Sequence, residues 1–264
     1  MSMIFAIFLG ILQGVTEFLP VSSSGHLVVL EKYFSMTPSI TINVFLHLGT
    51  LGAIVFYYWK DLSELIRVFF RFPFFNPEKK SRESDLILML LLSTFITGIL
   101  ALLMKNTMEK LFTYHFSWLV LAGTFSVTAI MLIVSTGIQS GQKEINWNIA
   151  VILGIVQGLA VMPGISRSGF TICAALILGV KPAEAARYSF LMAVPAIAGA
   201  GILEARHLSS ISDPVPLAAG VLISALAGFL SLSFLVRLVE KGKIRFFAWY
   251  LFPLAVFCIY CFVR

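Results

Sequence analysis

The chain has 264 residues, of which 59% are hydrophobic and only 12% are charged, and its mean hydropathy is +0.95. So few charged side chains cannot cover a water-soluble surface, which excludes a soluble globular protein and indicates an integral membrane protein. The net charge of +6 does not point to nucleic acid, because the basic residues are scattered through short loops and form no tract.

The first apolar region, residues 3–34, is interrupted near its middle by Pro20 and by Ser22-Ser23-Ser24-Gly25. A helix that crosses the hydrocarbon needs about 20 mostly apolar residues, and non-helical backbone at depth is tolerated only inside protein or beside a wet cavity. We therefore predict a re-entrant helical hairpin whose tip runs from Pro20 to Gly25. A single kinked span is the alternative.

Further along the chain, six stretches are long and apolar enough to cross a membrane, and a second interrupted region, residues 148–180, predicts a second hairpin with its tip at Pro163 to Gly169. The fold class is therefore an all-α integral membrane protein with about six transmembrane helices and two re-entrant hairpins in a single membrane domain, 1–264. The polar segment 60–85 is expected to lie in the membrane interface. The six predicted spans are 41–59, 86–104, 116–136, 186–204, 215–237 and 247–263.

The two interrupted regions repeat one pattern, because eight of seventeen positions are identical between Leu9–Gly25 and Leu153–Gly169. In this topology thirteen basic residues fall on one face and five on the other, and the positive-inside rule makes the first face cytoplasmic and places both termini outside. Three crossings separate the hairpins. The halves, about 1–142 and 143–264, are therefore predicted to be an inverted-topology repeat whose tips converge on one site.

Each predicted tip precedes a helix, and this places serine hydroxyls and free backbone N–H groups at a helix N-terminus, which is a ready anion site. The alternative is that the serines only cap helices and the glycines only permit a turn. Arg167 costs about 3 kcal/mol within a membrane unless it is paired or hydrated, so it needs an anion, and its planar fork matches phosphate. A structural ion pair with Glu17 is the alternative role for Arg167. The candidate phosphate-binding residues are Ser22, Ser24, Gly25, Ser166, Arg167, Ser168 and Gly169.

The first tip also carries groups that can move protons. Glu17 follows Gln13 by four residues, so both side chains face one way along a helix, and a buried carboxylate suits general acid or base catalysis. Beside a phosphate, Glu17 would also form a hard oxygen site for Mg²⁺ or Ca²⁺, with the Gln13 amide oxygen as a second ligand. His26 adjoins Gly25 in the same tip. Little is expected of the other histidines, which lack such company: His47, His115 and His207.

The stretch from Gln13 to His26, together with Pro163 to Gly169, closely resembles the two signatures of the bacterial undecaprenyl pyrophosphate phosphatases, the bacitracin-resistance family. The resemblance implies a hydrolase that removes the terminal phosphate from undecaprenyl pyrophosphate. The product would be the monophosphate lipid carrier that cell-wall synthesis reuses. A divalent cation requirement and an active site open to the outer side of the bacterial plasma membrane are also implied.

The same resemblance assigns roles to individual residues. Glu17 matches the essential glutamate of the family, Ser23 its motif serine, His26 its motif histidine and Arg167 its phosphate-binding arginine. Gln13 departs from the pattern, since the family often has glutamate there, and it is therefore expected to be a ligand or a hydrogen-bonding group. We rank Ser23 first as nucleophile, assisted by His26 or Glu17. Attack by His26 or by a base-activated water also fits these residue types.

A polyprenyl-phosphate transporter or flippase is the competing function, because inverted repeats with broken helices are typical of transporters. Such a protein needs an anion site and a gate but no cluster of serine, histidine and glutamate beside the arginine. The expected partners are a polyprenyl diphosphate substrate, membrane lipid and a second copy of the chain in a possible homodimer, with no nucleic acid.

Overall fold

The computed structural model describes residues 2–34, 40–71, 81–113, 116–137, 141–204 and 214–264. Within these ranges the secondary structure is helical, with one isolated backbone bridge between Lys143 and Val180. The helices are α1 (Met3–Phe18), α2 (Ser23–Tyr33), α3 (Ile40–Tyr57), α4 (Trp59–Arg71), α5 (Arg82–Thr113), α6 (Ser117–Thr136), α7 (Trp147–Leu159), α8 (Arg167–Ile177), α9 (Pro182–Glu204), α10 (Pro214–Glu240) and α11 (Ala248–Val263).

The long helices agree with the predicted spans. Among the described residues, five helical segments are long and apolar enough to cross a membrane, and there are six if the bent pair of α3 and α4 forms one span. An all-α protein that crosses the membrane several times is therefore confirmed. The five segments are Arg82–Met108, Ser117–Thr136, Pro182–Leu203, Pro214–Glu240 and Ile244–Val263.

An 85° bend separates α3 from α4. Helix α4 is strongly amphipathic. Its Leu65 is buried, whereas Lys60 near the start of the helix and Phe70 near its end are exposed. A bend of this size would turn the chain from crossing the membrane to running along its surface, where such a helix is stable. The interface position of 60–85 stays a prediction, and residues 72–80 lie outside the described residues.

Two pairs of short helices take the places of the predicted hairpins. Helices α2 and α8 have 11 residues each, and 11 helical residues extend about 17 Å, which is roughly half the thickness of the hydrocarbon. Neither helix can cross a membrane alone. The breaks fall at residues 19–22 and 160–166, and the first contains Pro20, whose ring cannot continue α1.

The repeated glycines pack the first helix of each pair against the opposite half. A Cβ on Gly14 of α1 would lie 2.6 Å from the carbonyl oxygen of Ser224 in α10, and a Cβ on Gly158 of α7 would lie 2.6 Å from Cβ of Leu100 in α5. Small residues four apart allow such close approach between membrane helices. This matched packing supports a division into halves at about residue 142, which stays a prediction.

Ion pairs gather charged residues from several helices at one end of the bundle. Arg187 Nε of α9 lies 2.6 Å from Asp61 Oδ1 of α4, and Arg82 at the start of α5 pairs with Glu144 at 3.2 Å and with Glu184 at 3.7 Å. Both arginines are among the thirteen basic residues that the positive-inside rule places on the cytoplasmic face. The ion pairs bring Arg82 and Arg187 to the same end of the bundle. Helix α7 also begins at this end, three residues after Glu144.

Candidate active site

The two hairpin tips meet. Ser22 Oγ in the first tip accepts a hydrogen bond from the backbone N–H of Gly164 in the second tip at 3.0 Å. Ser168 Oγ donates to the carbonyl oxygen of Phe18 at 2.9 Å. Gly25 is so close to the second tip that an added Cβ would lie 2.8 Å from Cα of Gly164. The expected convergence of the two Ser-Gly motifs is therefore seen in the structure.

Two of the serines cap the outgoing helices. Ser22 Oγ accepts from the N–H of Gly25 at 3.2 Å, and Ser166 Oγ accepts from the N–H of Gly169 at 3.1 Å. The capping role that was the alternative reading of these residues is thus present. Ser22 also has φ of 68°, and no other non-glycine residue in the described ranges has a positive φ. Such a conformation costs about 1–3 kcal/mol and is often found at functional sites.

Glu17, in the last turn of α1, lies at the centre of the site. It is buried, its Oε2 accepts from Ser23 Oγ at 2.6 Å and from Gln13 Nε2 at 2.9 Å, and its Oε1 forms an ion pair with Arg167. The structure therefore brings together four of the predicted residues from three helices. The Glu17–Arg167 ion pair, which was the alternative role for the arginine, is also present.

His47 of α3 completes the surroundings of Glu17, although the sequence analysis expected little of it. Its Nδ1 donates to the carbonyl oxygen of Asn43 at 2.7 Å, and its Nε2 lies 3.4 Å from Glu17 Oε2. A carbonyl oxygen only accepts, so an attractive contact with the carboxylate requires a proton on both ring nitrogens. No motif surrounds His47, and only the tertiary fold reveals its place. His115 and His207 lie outside the described residues.

His26 is held on the other side of the first tip. Its Nδ1 donates to the carbonyl oxygen of Ser22 at 2.8 Å, and its Nε2 lies 2.6 Å from the hydroxyl of Tyr250 in α11. The described hydrogen bonds and ion pairs do not join this ring to Glu17 or to Arg167. Tyr250 was not anticipated, since it is 224 residues away in sequence.

A cavity of about 330 Å³ adjoins this cluster. Its polar wall combines predicted residues from both tips with three residues that the sequence analysis did not select. Five predicted site residues are not part of the lining, namely Gln13, Gly25, His26, Ser168 and Gly169. The polar lining consists of Glu17, Ser22, Ser23, Ser24, Ser166, Arg167, His47, Thr97 and Gln157.

Gln157 occupies the position in the second repeat that Gln13 has in the first. Its Nε2 donates to Thr97 Oγ1 at 3.2 Å, while its Oε1 is buried without a hydrogen-bond partner, as is Oε1 of Gln13. The repeated sequence Gly-Ile-X-Gln-Gly was the signal that could have identified it. A buried acceptor without a partner is costly, and Gln157 is therefore a candidate ligand-contacting residue.

The rest of the cavity lining is apolar. It is formed by small and branched side chains from α3, from the break between α7 and α8, and from α9. A pocket that combines a few charged groups with apolar lining residues suits an amphiphilic ligand with an anionic head. The apolar lining consists of Val44, Ala160, Val161, Ile165, Ala196, Ile197 and Ala200.

The oxygen atoms of Glu17 and Gln13 suit a divalent cation that is also coordinated by the phosphates of a bound substrate. The described part of the chain has no group of three or more His, Cys, Asp or Glu side chains arranged to bind a metal. It offers one carboxylate, on Glu17, and the partnerless amide oxygen of Gln13. Mg²⁺ is commonly bound in this way, through one or two carboxylates, several waters and substrate phosphates.

Comparison with known proteins identifies the family. The profile of the family described as "Bacitracin resistance protein BacA" matches residues 6–257. The undecaprenyl-diphosphatase of Desulfatibacillum aliphaticivorans is 38% identical over 260 residues, which cover 92% of this chain and 93% of that protein. The undecaprenyl-diphosphatase of Methanosphaera stadtmanae is 37% identical over 259 residues, covering 93% and 92%. With its two hairpin motifs joined at one cavity and a match along nearly its whole length, the chain belongs to the BacA family of bacitracin resistance proteins.

Proposed function

We propose that this protein is an undecaprenyl-diphosphatase, which hydrolyses undecaprenyl diphosphate to undecaprenyl phosphate and orthophosphate and so recycles the lipid carrier of cell-wall synthesis. Family membership and the named relatives support the activity. The observation that carries the proposal is the Glu17 carboxylate bound to both Ser23 and Arg167 where the two tips meet. Such an activity accounts for the connection with bacitracin resistance in the family description.

The diphosphate would bind to the polar lining residues of the cavity, and the polyprenyl chain would extend past the apolar ones. Arg167 offers the phosphate a planar, bidentate donor, and the hydroxyls of Ser22, Ser24 and Ser166 lie in the same lining. The N–H groups of Gly25 and Gly169 and the hydroxyl of Ser168 already bond within the protein. We assign these last three residues to shaping the tips, next to the phosphates.

Ser23 is our proposed nucleophile, with Glu17 as its general base. The Ser23 hydroxyl already donates to Glu17 Oε2 at 2.6 Å. Its oxygen attacks the terminal phosphorus, a Ser23–phosphate bond forms, and the bond from that phosphorus to the bridging oxygen breaks. Undecaprenyl phosphate departs with the bridging oxygen, and the serine proton passes to Glu17 and then to the leaving phosphate.

Water completes the turnover. Glu17 removes a proton from a water molecule that attacks the phosphoserine, the Ser23–phosphate bond breaks, and Ser23 regains its proton as orthophosphate leaves. Arg167 offsets the negative charge that builds up on the transferred group in both steps, which is the main demand of phosphoryl transfer. Both ring nitrogens of His26 are engaged elsewhere, which favours Ser23 over His26 as the nucleophile.

A divalent cation, Mg²⁺ or Ca²⁺, belongs to this proposal, with Glu17 and Gln13 as the residues that would hold it. When bound, it supplies positive charge that neutralises the diphosphate. Both residues lie on α1, about one helical turn apart. We also propose that the protein lies in the bacterial plasma membrane with both termini and the opening of the site on the outer side, supported by the charged cluster at the other end.

Phosphate release tests this function. Purified protein in detergent, given undecaprenyl diphosphate with Mg²⁺ or Ca²⁺, should release orthophosphate, and a chelator should stop the release. Arg167→Ala should lower kcat/KM by about 10³-fold or more, the usual effect of losing a charge-neutralising arginine. Arg237→Ala, which removes an exposed arginine at the end of α10, is the matched control and should keep wild-type activity.

Two outcomes would contradict the proposal. No orthophosphate with any divalent ion would favour the transporter or flippase. Release by Arg167→Ala at the wild-type rate would show that the phosphate binds elsewhere.

A further inference from the structure

Tyr250 connects the last helix to the first hairpin tip. Its hydroxyl lies 2.6 Å from Nε2 of His26, and the two rings are nearly parallel, with an interplanar angle of 7° and a centroid distance of 5.6 Å. On its other side the imidazole meets the edge of the buried Phe125 ring of α6 at 5.8 Å. The imidazole is thus held between α6 and α11.

The contacts of His26 define which ring nitrogen carries the proton. Its Nδ1 lies 2.8 Å from the carbonyl oxygen of Ser22, and a carbonyl can only accept, so Nδ1 must be the donor. In the neutral ring Nε2 is then an acceptor, and the Tyr250 hydroxyl is the donor to it. Without the phenol oxygen, this tautomer loses one of its two hydrogen bonds.

The other end of this chain of hydrogen bonds is the strained residue of the tip. Ser22, with φ of 68°, has a carbonyl oxygen that accepts from both Nδ1 and the backbone N–H of His26. Strained backbone persists only where its surroundings over-determine it. The next residue is Ser23, whose hydroxyl donates to Glu17 at 2.6 Å. The conformation of Ser22 therefore decides where the Ser23 hydroxyl points.

We infer that Tyr250 is a positioning residue for the reaction: its hydroxyl holds His26 as the Nδ1–H tautomer, and this ring in turn holds the strained Ser22 carbonyl so that Ser23 faces Glu17. The inference rests on the proposed phosphatase function. It adds a residue of α11 to the active site, and it gives His26 a role that needs no contact with the phosphate.

Replacing Tyr250 by phenylalanine removes the hydroxyl and keeps the stacked ring. Tyr250→Phe should lower kcat about 10- to 100-fold, as the loss of an orienting partner of a histidine often does. KM and the thermal midpoint should change much less than kcat, because Arg167 and the packing are unchanged. Tyr260→Phe on the same helix, where the tyrosine is 57% exposed, is the control and should behave as wild type.

A second measurement identifies the tautomer of His26 and does not depend on enzymatic activity. In protein with ¹⁵N-labelled histidine, the signals of His26, assigned by their loss in His26→Gln, should show a protonated Nδ1 and an unprotonated Nε2. Tyr250→Phe should move the Nε2 signal. Wild-type kcat in Tyr250→Phe, or His26 signals unchanged by it, would overturn the inference. Failure of the wild-type protein to release phosphate would instead contradict the proposed function, and the ¹⁵N signals would still test the hydrogen bond.

Discussion

Glu17 is bound from four directions by residues of four helices. Gln13 comes from α1, Ser23 from α2, His47 from α3 and Arg167 from α8. A carboxylate with this many donors has a fixed orientation, so the oxygen that receives the serine proton is defined before any substrate binds. Such preorganisation reduces the cost of reaching the transition state.

The role of Ser23 leads to a prediction about an intermediate. Ser23→Ala should lower kcat by about 10³-fold or more, because it removes the group that forms the covalent bond. Wild-type protein quenched in acid during turnover of labelled substrate should carry phosphate on Ser23, since a phosphoserine survives acid. An acid-labile phosphate would point to a histidine. If Ser23→Ala is inactive and no phosphoprotein forms, direct attack by water is the better mechanism.

His47 offers a prediction that separates its hydrogen bond from its packing. His47→Ala should lower kcat/KM about 10- to 100-fold, the usual cost of removing a donor from a buried charge. His47→Gln should keep most of the activity, because an amide N–H can donate to Glu17 in place of Nε2. The measurement is steady-state kinetics at fixed Mg²⁺. Equal activity in His47→Ala and wild-type protein would show that the 3.4 Å contact is not used.

Sequence reasoning identified the site residues that belong to motifs and missed those that do not. Glu17, Ser23 and Arg167 could be found because they interrupt a repeat with charge and hydroxyl groups. His47 and Tyr250 could not, because no motif surrounds either residue and each meets the site only through the tertiary fold. The side of the tip to which His26 turns depends on its contact with α11, which no local pattern encodes.

At the level of elements, the breaks in α1–α2 and α7–α8 serve two purposes. They place helix N-termini at the tips, and the helices before them pack closely through glycine. Gly14 is one helical turn before Glu17, so the turn of α1 that precedes the carboxylate packs directly on α10. Hydrophobic length predicted where helices would cross. It could not predict the size of the bend between α3 and α4, which is 85°.

The glycine contact predicts a position-specific loss of stability. Gly14→Ala places a Cβ 2.6 Å from the carbonyl oxygen of Ser224 and 2.8 Å from the backbone nitrogen of Gly228. The helices must separate, at a cost of about 1–3 kcal/mol, and the thermal midpoint in detergent should fall. Gly52→Ala adds a methyl group where nothing lies within 4 Å and should not lower the midpoint. Equal midpoints for the two variants would contradict the packing argument.

At the level of the whole molecule, the charged cluster at one end and the predicted entry of the two hairpins from opposite faces together predict a defined orientation. In a variant with Cys173, Cys258 and Cys261 replaced by serine, an impermeant maleimide should label Ser2→Cys in intact spheroplasts. Glu144→Cys, in the charged cluster, should be labelled only after the membrane is opened. The reverse pattern would place the active-site opening on the cytoplasmic side. Labelling of both positions from one side would contradict the inverted arrangement.

The Ser22 hydroxyl oxygen accepts from an amide of its own hairpin and from Gly164 of the other, and so belongs to both halves at once. A carrier that works by rocking one half against the other would have to break the bond from Gly164 at each cycle and leave that amide without its partner. In the predicted inverted repeat, two halves joined in this way would form a stationary support. With the proposed phosphatase activity, the lipid would come to the junction and leave it within one leaflet, and only phosphate and water would move through the space between the tips.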